Sequence, residues 1–194
     1  IPSLGYRSYG IALGEGSRSS TDLRVTEGEM ENAYFRVHIS PLTGNPESIH
    51  DKRGERELLR GGGITFEAFE DMGESEGFLV AGGLSNRRAR DQDISLLGKP
   101  WRIEAEPKIE ILEKGPVRAI VRVAKRYQSS TFVQDIILYS KLDRIDFHLT
   151  IDWHDIHRLI KAVFPLNVDK GTLTSDSPYG SIVRPQTGEE RLTI

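Results

Sequence analysis

The 194-residue sequence contains no cysteine. Disulfides, thiolate metal sites and a cysteine nucleophile are therefore excluded, and the fold must be stabilised by a hydrophobic core. The sequence also has no Asn-x-Ser/Thr acceptor for glycosylation. These two absences together favour a reducing cytoplasm over the secretory route. We expect a cytoplasmic, prokaryotic protein.

An excess of charge of one sign is lacking as well. The 26 basic and 29 acidic side chains leave a net charge of −3, which provides no field for holding nucleic acid or an anionic membrane. No run approaches the ~20 apolar residues that span a bilayer, and the amino end does not resemble a signal peptide. We therefore expect a soluble protein without a nucleic-acid or membrane partner. Because the chain starts at Ile1 rather than Met, we expect it to be part of a longer protein.

Helical periodicity is also missing, and alternation of apolar and polar side chains takes its place. The alternation is strictest from 144 to 153, where one side of a predicted strand carries Ile145, Phe147, Leu149, Ile151 and Trp153. The apolar run 132–139 lies just before it, and the short intervening segment predicts a hairpin. The segment 159–168 is apolar in both alternating sets, which predicts a strand covered on both faces.

The same pattern predicts further strands along the chain. In the strand 31–40, the core set is expected to be Ala33, Phe35, Val37 and Ile39. The other predicted strands are 49–59, with a tight turn near Gly54, then 64–68, 101–111, 117–124, 171–174 and 181–183. The segments 13–22 and 70–98 are predicted loops. We therefore predict an all-β fold with very little helix, an antiparallel β-sandwich forming a single domain over 1–194.

Two ordered sets of residues resemble those of a known family. One set runs through Asn32, Tyr34-Phe35, Thr43-Gly44, Ile49, Asp51-Lys52, Gly54 and Arg56-Glu57-Leu58, and a Gly-Pro-Val-Arg-Ala run follows at 115–119. The other comprises Gln134, Leu138-Tyr139, Arg144-Ile145-Asp146-Phe147, Asp152-Trp153, His157, Leu159, Lys161, Phe164-Pro165, Tyr179-Gly180 and Arg184-Pro185. Together they resemble the β-sandwich region downstream of the catalytic domain in glycoside hydrolase family 38, the retaining α-mannosidases.

The resemblance implies a sandwich of the supersandwich type, related to galactose mutarotase, inside an α-mannosidase. In that family the aspartate nucleophile and the ligands of a divalent ion, usually zinc, lie in an amino-terminal β/α barrel, which these residues do not include. We therefore expect a domain without catalytic residues, metal ligands or a cofactor of its own. It would support the barrel of the same chain and border its cleft, while the parent hydrolyses α-mannosidic bonds in glycans or mannosides with retention.

Two other functions stay open. An independent carbohydrate-binding module would bind mannosides without a partner domain. A mutarotase-like sugar epimerase would need a histidine acid and a glutamate base on a concave sheet. His38, His148 and His157 are candidates for the acid, but the sequence pairs no glutamate with any of them.

Four residues are candidates for contact with the mannoside: Trp153, His157, Lys161 and Arg184. The Trp153 ring could stack on a sugar, although its register within the alternating strand favours the core. Lys161 interrupts an apolar strand, and Arg184 precedes a proline near the end of the chain. A charge at a buried position must be paired or must line a cleft, and pairing of Lys161 with Asp152 or Asp155 is the plainer interpretation.

A histidine pair near this strand is a candidate metal site. His154 and His157 flank Asp155, and two imidazoles with a carboxylate could in principle hold zinc. Residues three apart point to opposite faces of an extended chain, however. Structural hydrogen bonding is therefore favoured over a metal site.

Overall fold

The computed structural model describes residues 5, 6, 8, 10, 20–70, 100–168 and 172–184. Within these residues every regular element is a β-strand, and the search for a membrane-crossing helix accordingly finds none. The strands are β1 (Arg24–Val25), β2 (Glu29–Glu31), β3 (Phe35–Ile39), β4 (Pro46–Asp51), β5 (Arg56–Glu57), β6 (Thr65–Glu70), β7 (Trp101–Arg102), β8 (Pro107–Lys114), β9 (Arg118–Tyr127), β10 (Ser130–Tyr139), β11 (Ile145–Asp152), β12 (Arg158–Val163), β13 (Leu173–Ser177) and β14 (Gly180–Arg184).

All pairings between these strands are antiparallel, and they form four sheets. A five-stranded sheet has the order β1-β2-β3-β4-β5, and a four-stranded sheet has the order β11-β10-β9-β8. A three-stranded sheet follows the order β12-β6-β7, and β13 and β14 form a hairpin. The predicted all-β, antiparallel fold class is confirmed for the described residues.

The main core lies between the five-stranded and the four-stranded sheet. Val37 and Ile39 of β3 and Met30 of β2 have no exposed surface, and they pack in one cluster with Val121 of β9 and Ile136 of β10. Alternation explains this arrangement, because every second side chain of a strand faces the same layer. Two sheets that bury one face each against the other make a sandwich.

A second, smaller core joins the three-stranded sheet to one end of the four-stranded sheet. Phe66 and Ala68 of β6 pack with Ile103 and with Phe132 of β10. The rings of Phe66 and Phe132 lie 5.4 Å apart between centroids. Phe132 thus connects the two layers.

The hairpin predicted around 140–144 is confirmed, since β10 and β11 pair in register from Thr131 opposite Asp152 to Leu138 opposite Ile145. The strands predicted at 171–174 and 181–183 correspond to β13 and β14. The loop predicted at 70–98 falls almost entirely outside the described residues, and so does most of the loop at 13–22.

The prediction of one strand over 31–40 is wrong in its first third. The chain turns between β2 and β3, so Ala33 is exposed and Asn32 takes the buried position, with 1% of its surface exposed. The Asn32 side chain explains the turn, because its Oδ1 accepts hydrogen bonds from the backbone N–H groups of Tyr34 at 2.8 Å and Phe35 at 2.7 Å. Asparagine commonly stabilises turns in this way.

The predicted strand 101–111 is divided between two sheets. β7 pairs with β6, whereas β8 pairs with β9, and the chain crosses from one sheet to the other between Ile103 and Glu106. β8 is an edge strand that begins at Pro107 and has a register shift between Ile111 and Glu113. Apolar alternation alone did not reveal the crossing, because Ile103 is buried on one side of it and Ile109 packs against the main core on the other.

The prediction that 159–168 is covered on both faces is also wrong. β12 ends at Val163 and lies at the edge of its sheet, where β6 is its partner. Phe164, Leu166 and Val168 follow it with 45%, 58% and 50% of their surface exposed. We call these three residues the apolar strip. Its composition indicated burial, but none of the described elements covers it.

Candidate functional site

Trp153 directly follows β11 and packs against the smaller core. Its ring meets Phe132 edge to face, with 6.1 Å between centroids and 82° between the planes. Such T-shaped contacts are favourable for aromatic pairs. The register argument for Trp153 is confirmed, and the half-buried ring keeps one part accessible. Its contact with a sugar stays a prediction.

His157 and Lys161 are both exposed. His157 has a φ of 53° immediately before β12, and its carbonyl accepts a hydrogen bond from Arg158 Nη1 at 2.9 Å. Lys161 places Nζ 4.6 Å from the centroid of Phe69, a cation–π contact that replaces the expected pairing with Asp152 or Asp155. Within the described part of the chain, no hydrogen bond, ion pair or ring contact joins Trp153, His157 and Lys161.

Arg184 is the last residue of β14, opposite Leu173 of β13. Its side chain lies outside what the structure describes. Arg184 thus lies in a hairpin separate from the strands of the other three candidates. Its contact with a sugar stays a prediction.

The residues of the candidate histidine site make local structural contacts. His154 Nε2 lies 3.0 Å from Asp152 Oδ1, and the His154 backbone N–H donates to Ser130 Oγ at 2.9 Å. The Ser130 hydroxyl in turn donates to Asp155 Oδ2 at 2.5 Å. These bonds attach the end of β11 to the start of β10. The favoured interpretation, structural hydrogen bonding, is confirmed for His154 and Asp155.

The residue that sequence reasoning missed is Lys125. It continues the inward-facing series Ala119, Val121 and Val123 of β9, and only 7% of its surface is exposed. Its Nζ donates a hydrogen bond to Asn45 Oδ1 at 2.5 Å. The signal was present in the sequence, because a lysine two residues beyond Val123 falls on the core side of an alternating strand.

Lys125 lies at one side of a cleft of about 530 Å³. The loop after β3 supplies Thr43 and Asn45, and β4 supplies Glu47. The crossing between β7 and β8 supplies the opposite wall, with Glu104 and Glu106 at its exposed end. Gly62 and Thr65 complete the lining. The cleft, which we call the Lys125 cleft, is therefore built from four separate parts of the chain.

A glycine allows the loop after β3 to lie against the lysine stem. Gly44 has a φ of 65°, and a Cβ there would lie 2.5 Å from Val123 Cγ1 and 3.3 Å from Lys125 Cε. Glycine is thus needed both for its conformation and for the close approach. This approach brings the Asn45 side chain to Lys125 Nζ.

Burial lowers the pKa of Lys125 to about 8. Removal of an ammonium group from water disfavours its charged form, and the described residues place no carboxylate within ion-pair distance of Nζ to compensate. Lys125 is therefore a buried amine with a lowered pKa at the wall of a cleft.

A family model described as "Glycosyl hydrolases family 38 C-terminal domain" matches residues 30–192. The chain belongs to this family. The match covers β3 to β14 and most of β2, and the resemblance read from the sequence is confirmed.

The family 38 domain is also similar to a curated protein. It is 32% identical over 104 residues to alpha-mannosidase G of Dictyostelium discoideum. The matched region is 50% of this chain but 9% of that protein. The chain thus spans a small fraction of the length of this relative.

The pKa shifts of the described carboxyl groups in the family 38 domain bear on glycoside cleavage. Each described carboxyl group with a displaced pKa is displaced downward: Asp22, Glu31, Asp51, Glu57, Glu110, Glu113 and Asp135. The hydrogen bonds of Arg122 lower the pKa of Asp135. Burial raises the pKa of Glu57, but hydrogen bonds from Ser48 and backbone N–H groups outweigh it. A general acid for glycoside cleavage requires the opposite shift.

The donor set of the described residues bears on the divalent ion that the family resemblance implies for the parent. Among the described residues, no three His, Asp or Glu side chains come together in a way that could hold a metal ion. Asp152 and His154 form a pair without a third donor. These residues do not fit a zinc site, which needs three or four ligands.

Proposed function

We propose that this chain is a non-catalytic β-sandwich domain of an α-mannosidase. In this proposal the parent hydrolyses α-mannosidic bonds with retention, and the domain supports the catalytic barrel and borders its cleft. The nucleophile and a divalent ion, zinc in the family resembled, belong to the amino-terminal catalytic domain of the same chain. Family membership and the mannosidase relative support the substrate class.

The observation that carries the proposal is the apolar strip. Large apolar side chains in a contiguous exposed patch mark surfaces that other protein covers. Phe164 extends the patch onto the four-stranded sheet, because its ring lies 5.8 Å from that of Phe147 in a T-shaped pair. A neighbouring domain of the parent would remove this surface from water.

The backbone of the strip is fixed before any partner binds. The N–H of Arg60 donates to the carbonyl of Pro165 at 2.6 Å, and the N–H of Asn167 donates to the carbonyl of Leu58 at 2.8 Å. Leu59 and Leu166 form an antiparallel bridge between these bonds. Docking against a preorganised surface requires little loss of backbone entropy. This geometry suits a permanent contact within one protein.

The downward shifts of the carboxyl pKa values support the non-catalytic part of the proposal. A retaining glycosidase needs one carboxylic acid that stays protonated near neutral pH and a carboxylate about 5 Å from it. The shifted carboxyl groups of the described residues are instead held as anions by hydrogen bonds and by neighbouring arginine or lysine side chains. They are suited to structural ion pairs.

A hydrolysis assay tests the chemical part. The chain alone should release no nitrophenol from p-nitrophenyl α-mannoside, whereas the full-length parent should. Turnover by the chain alone, at a rate that survives repeated purification, would contradict the proposal.

A binding experiment tests the structural part. The chain and the amino-terminal part of its parent, produced separately, should associate. Leu166→Asp should weaken this association at least about tenfold, because a carboxylate would be buried without a partner. Leu142→Asp is the matched control, since Leu142 is also exposed but lies in the turn after β10. Equal weakening by both variants, or no association of the unchanged chain, would refute the docking role of the strip.

A further inference from the structure

The Lys125 ammonium is buried without a charged partner. Nζ carries three hydrogens, and one of them is used in the bond to Asn45. In the described part of the chain the other two have no protein acceptor and no carboxylate within 4.0 Å. Buried charges in proteins are almost always paired or line a site that a ligand or water fills. The remaining donors therefore belong to the cleft.

The size of the Lys125 cleft suits a small molecule. Its volume of about 530 Å³ lies within the range of small-ligand sites, roughly 300–1,000 Å³. Ile103 and Ala105 contribute an apolar part of the wall, and Thr65 stands beside them. A ring with one apolar face and several polar groups matches such a lining.

The charges of the lining favour a neutral ligand. Lys125 and Arg102 are cationic, whereas Glu47, Glu104 and Glu106 are anionic. The three carboxylates disfavour an anion, and the two cations disfavour a cation. Hydroxyl groups satisfy both kinds of neighbour, since they accept from an ammonium or amide and donate to a carboxylate.

We propose that the Lys125 cleft binds a neutral, hydroxyl-rich ligand of monosaccharide size, with Lys125 Nζ and the Asn45 amide as its central contacts. The site is separate from the apolar strip and from the surface of Trp153, His157 and Lys161. It gives the domain a binding activity of its own, beyond its proposed support of the catalytic domain.

Protection of Lys125 from acylation tests this proposal in the full-length protein. Trace labelling with an N-acylating reagent at pH 8 would be quantified by mass spectrometry of the Lys125 peptide. Lys114 and Lys141, both exposed, serve as internal references. Mannose or myo-inositol should reduce labelling of Lys125 by at least half and leave both references unchanged. Inorganic phosphate should give no protection.

A pair of variants links the protection to the site. Asn45→Ala keeps the lysine that is labelled but removes its partner, so the protecting concentration of sugar should rise about tenfold or more. Asn167→Ala is the matched control, because Asn167 is exposed and lies beside Leu58, outside the cleft. It should leave the protecting concentration unchanged.

Several results would overturn the proposal. They are unchanged Lys125 labelling with both neutral compounds, protection by phosphate instead, and failure of Lys125 to react without ligand, which would show a covered cleft. Protection of Lys125 is read independently of turnover and of domain association. The binding site can therefore fail while the proposed function stands, and the reverse also holds.

Discussion

The side-chain amide of Asn32 donates a hydrogen bond of 2.7 Å to the carbonyl of Tyr139 and so joins the two main sheets. Asn32 lies in the turn between β2 and β3, whereas Tyr139 ends β10 in the opposite layer. The same amide also reaches the carbonyl of Leu142 at 3.4 Å. One buried side chain thus provides hydrogen-bond partners for backbone groups in the turn of one sheet and at the end of a strand in the other.

Asn32→Ala should destabilise the chain by about 2–4 kcal/mol, because buried backbone groups on both sheets lose their partners. Denaturant unfolding followed by circular dichroism measures this loss. Asn167→Ala removes only exposed side-chain hydrogen bonds, to Glu57 at 3.2 Å and from Arg60 at 3.4 Å, and should cost less than about 1 kcal/mol. Similar effects of the two substitutions would show that Asn32 does not join the sheets.

Alanine substitution of two glycines distinguishes the stability cost of backbone strain from the cost of steric overlap. Gly44→Ala should cost about 3 kcal/mol or more, since a φ of 65° is combined with contacts of 2.5 Å and 2.7 Å to Val123 and Pro107. Gly61→Ala should cost about 1 kcal/mol, because Gly61 has a φ of 40° and nothing within 4 Å of its Cβ position. Thermal unfolding of both variants measures the difference. Equal costs would mean that the loop after β3 does not pack on β9 as described.

Lys125→Met should stabilise the ligand-free chain by about 1–3 kcal/mol at pH 7, because it replaces a buried unpaired charge with an apolar side chain. The folded-state pKa of about 8 lies below the ordinary lysine value near ~10.4. Between these values the unfolded state binds more protons, so the stability of the unchanged chain rises with pH across that window. The advantage of Lys125→Met should therefore be full below pH 8 and shrink above it.

Urea unfolding at pH 7, 8 and 10 measures this dependence. Lys141→Met, at an exposed position in the turn after β10, is the control and should change stability little at any of these values. If Lys125→Met destabilises the chain at pH 7, or if its stabilising effect grows with pH, Lys125 is not a buried ammonium without a charged partner.

Asp135 should contribute to acid unfolding through its pair with Arg122. The guanidinium approaches both carboxylate oxygens, at 2.7 Å and 2.8 Å, and lowers the pKa of Asp135. A carboxyl group with a lowered folded pKa stabilises the fold above its ordinary value near ~3.9, and this contribution disappears as the pH falls through the folded value. Asp135→Asn should therefore be less stable than the unchanged chain at pH 7, and the difference should shrink as the pH falls through the lowered folded value.

Guanidinium or urea curves at several pH values check this convergence. Glu104→Gln, at an exposed position on the cleft wall, is the comparison, and it should follow the unchanged chain at every pH. A difference in the free energy of unfolding between Asp135→Asn and the unchanged chain that stays constant from pH 7 to pH 2 would contradict a contribution of the Asp135–Arg122 pair to acid unfolding.

The sequence was sufficient where a structure depends on neighbours along the chain. The hairpin of β10 and β11 follows from strict alternation on both sides of a short turn. The register of Trp153 follows from the same alternation. Both predictions use only local spacing, and the structure confirms both.

The sequence was insufficient where the outcome depends on distant segments. β12 pairs with β6, so Leu159 lies opposite Phe69, ninety positions earlier. No local pattern specifies that partner. The composition of 159–168 indicated burial, but burial requires a covering element, and the described residues do not include one for the apolar strip. Lys161 found an aromatic partner on β6 for the same reason.

Lys125 is an intermediate case. Its inward direction could be deduced from Val121 and Val123, because a strand alternates with period two. Its acceptor on Asn45, eighty residues earlier in the chain, could not. The contact between Lys125 and Asn45 therefore could not be predicted without the position of the loop that contains Gly44.

Two of the edge strands, β8 and β12, present unlike surfaces to a second molecule. β8 starts with a proline, shifts register after Ile111 and carries Lys108, Glu110, Glu113 and Lys114, all of which hinder addition of a foreign strand. β12 is followed instead by the exposed apolar side chains of Phe164 and Leu166. When this polypeptide is produced without the neighbouring domain proposed above, aggregation should begin at β12, and polar substitutions there should improve the yield of monomeric protein.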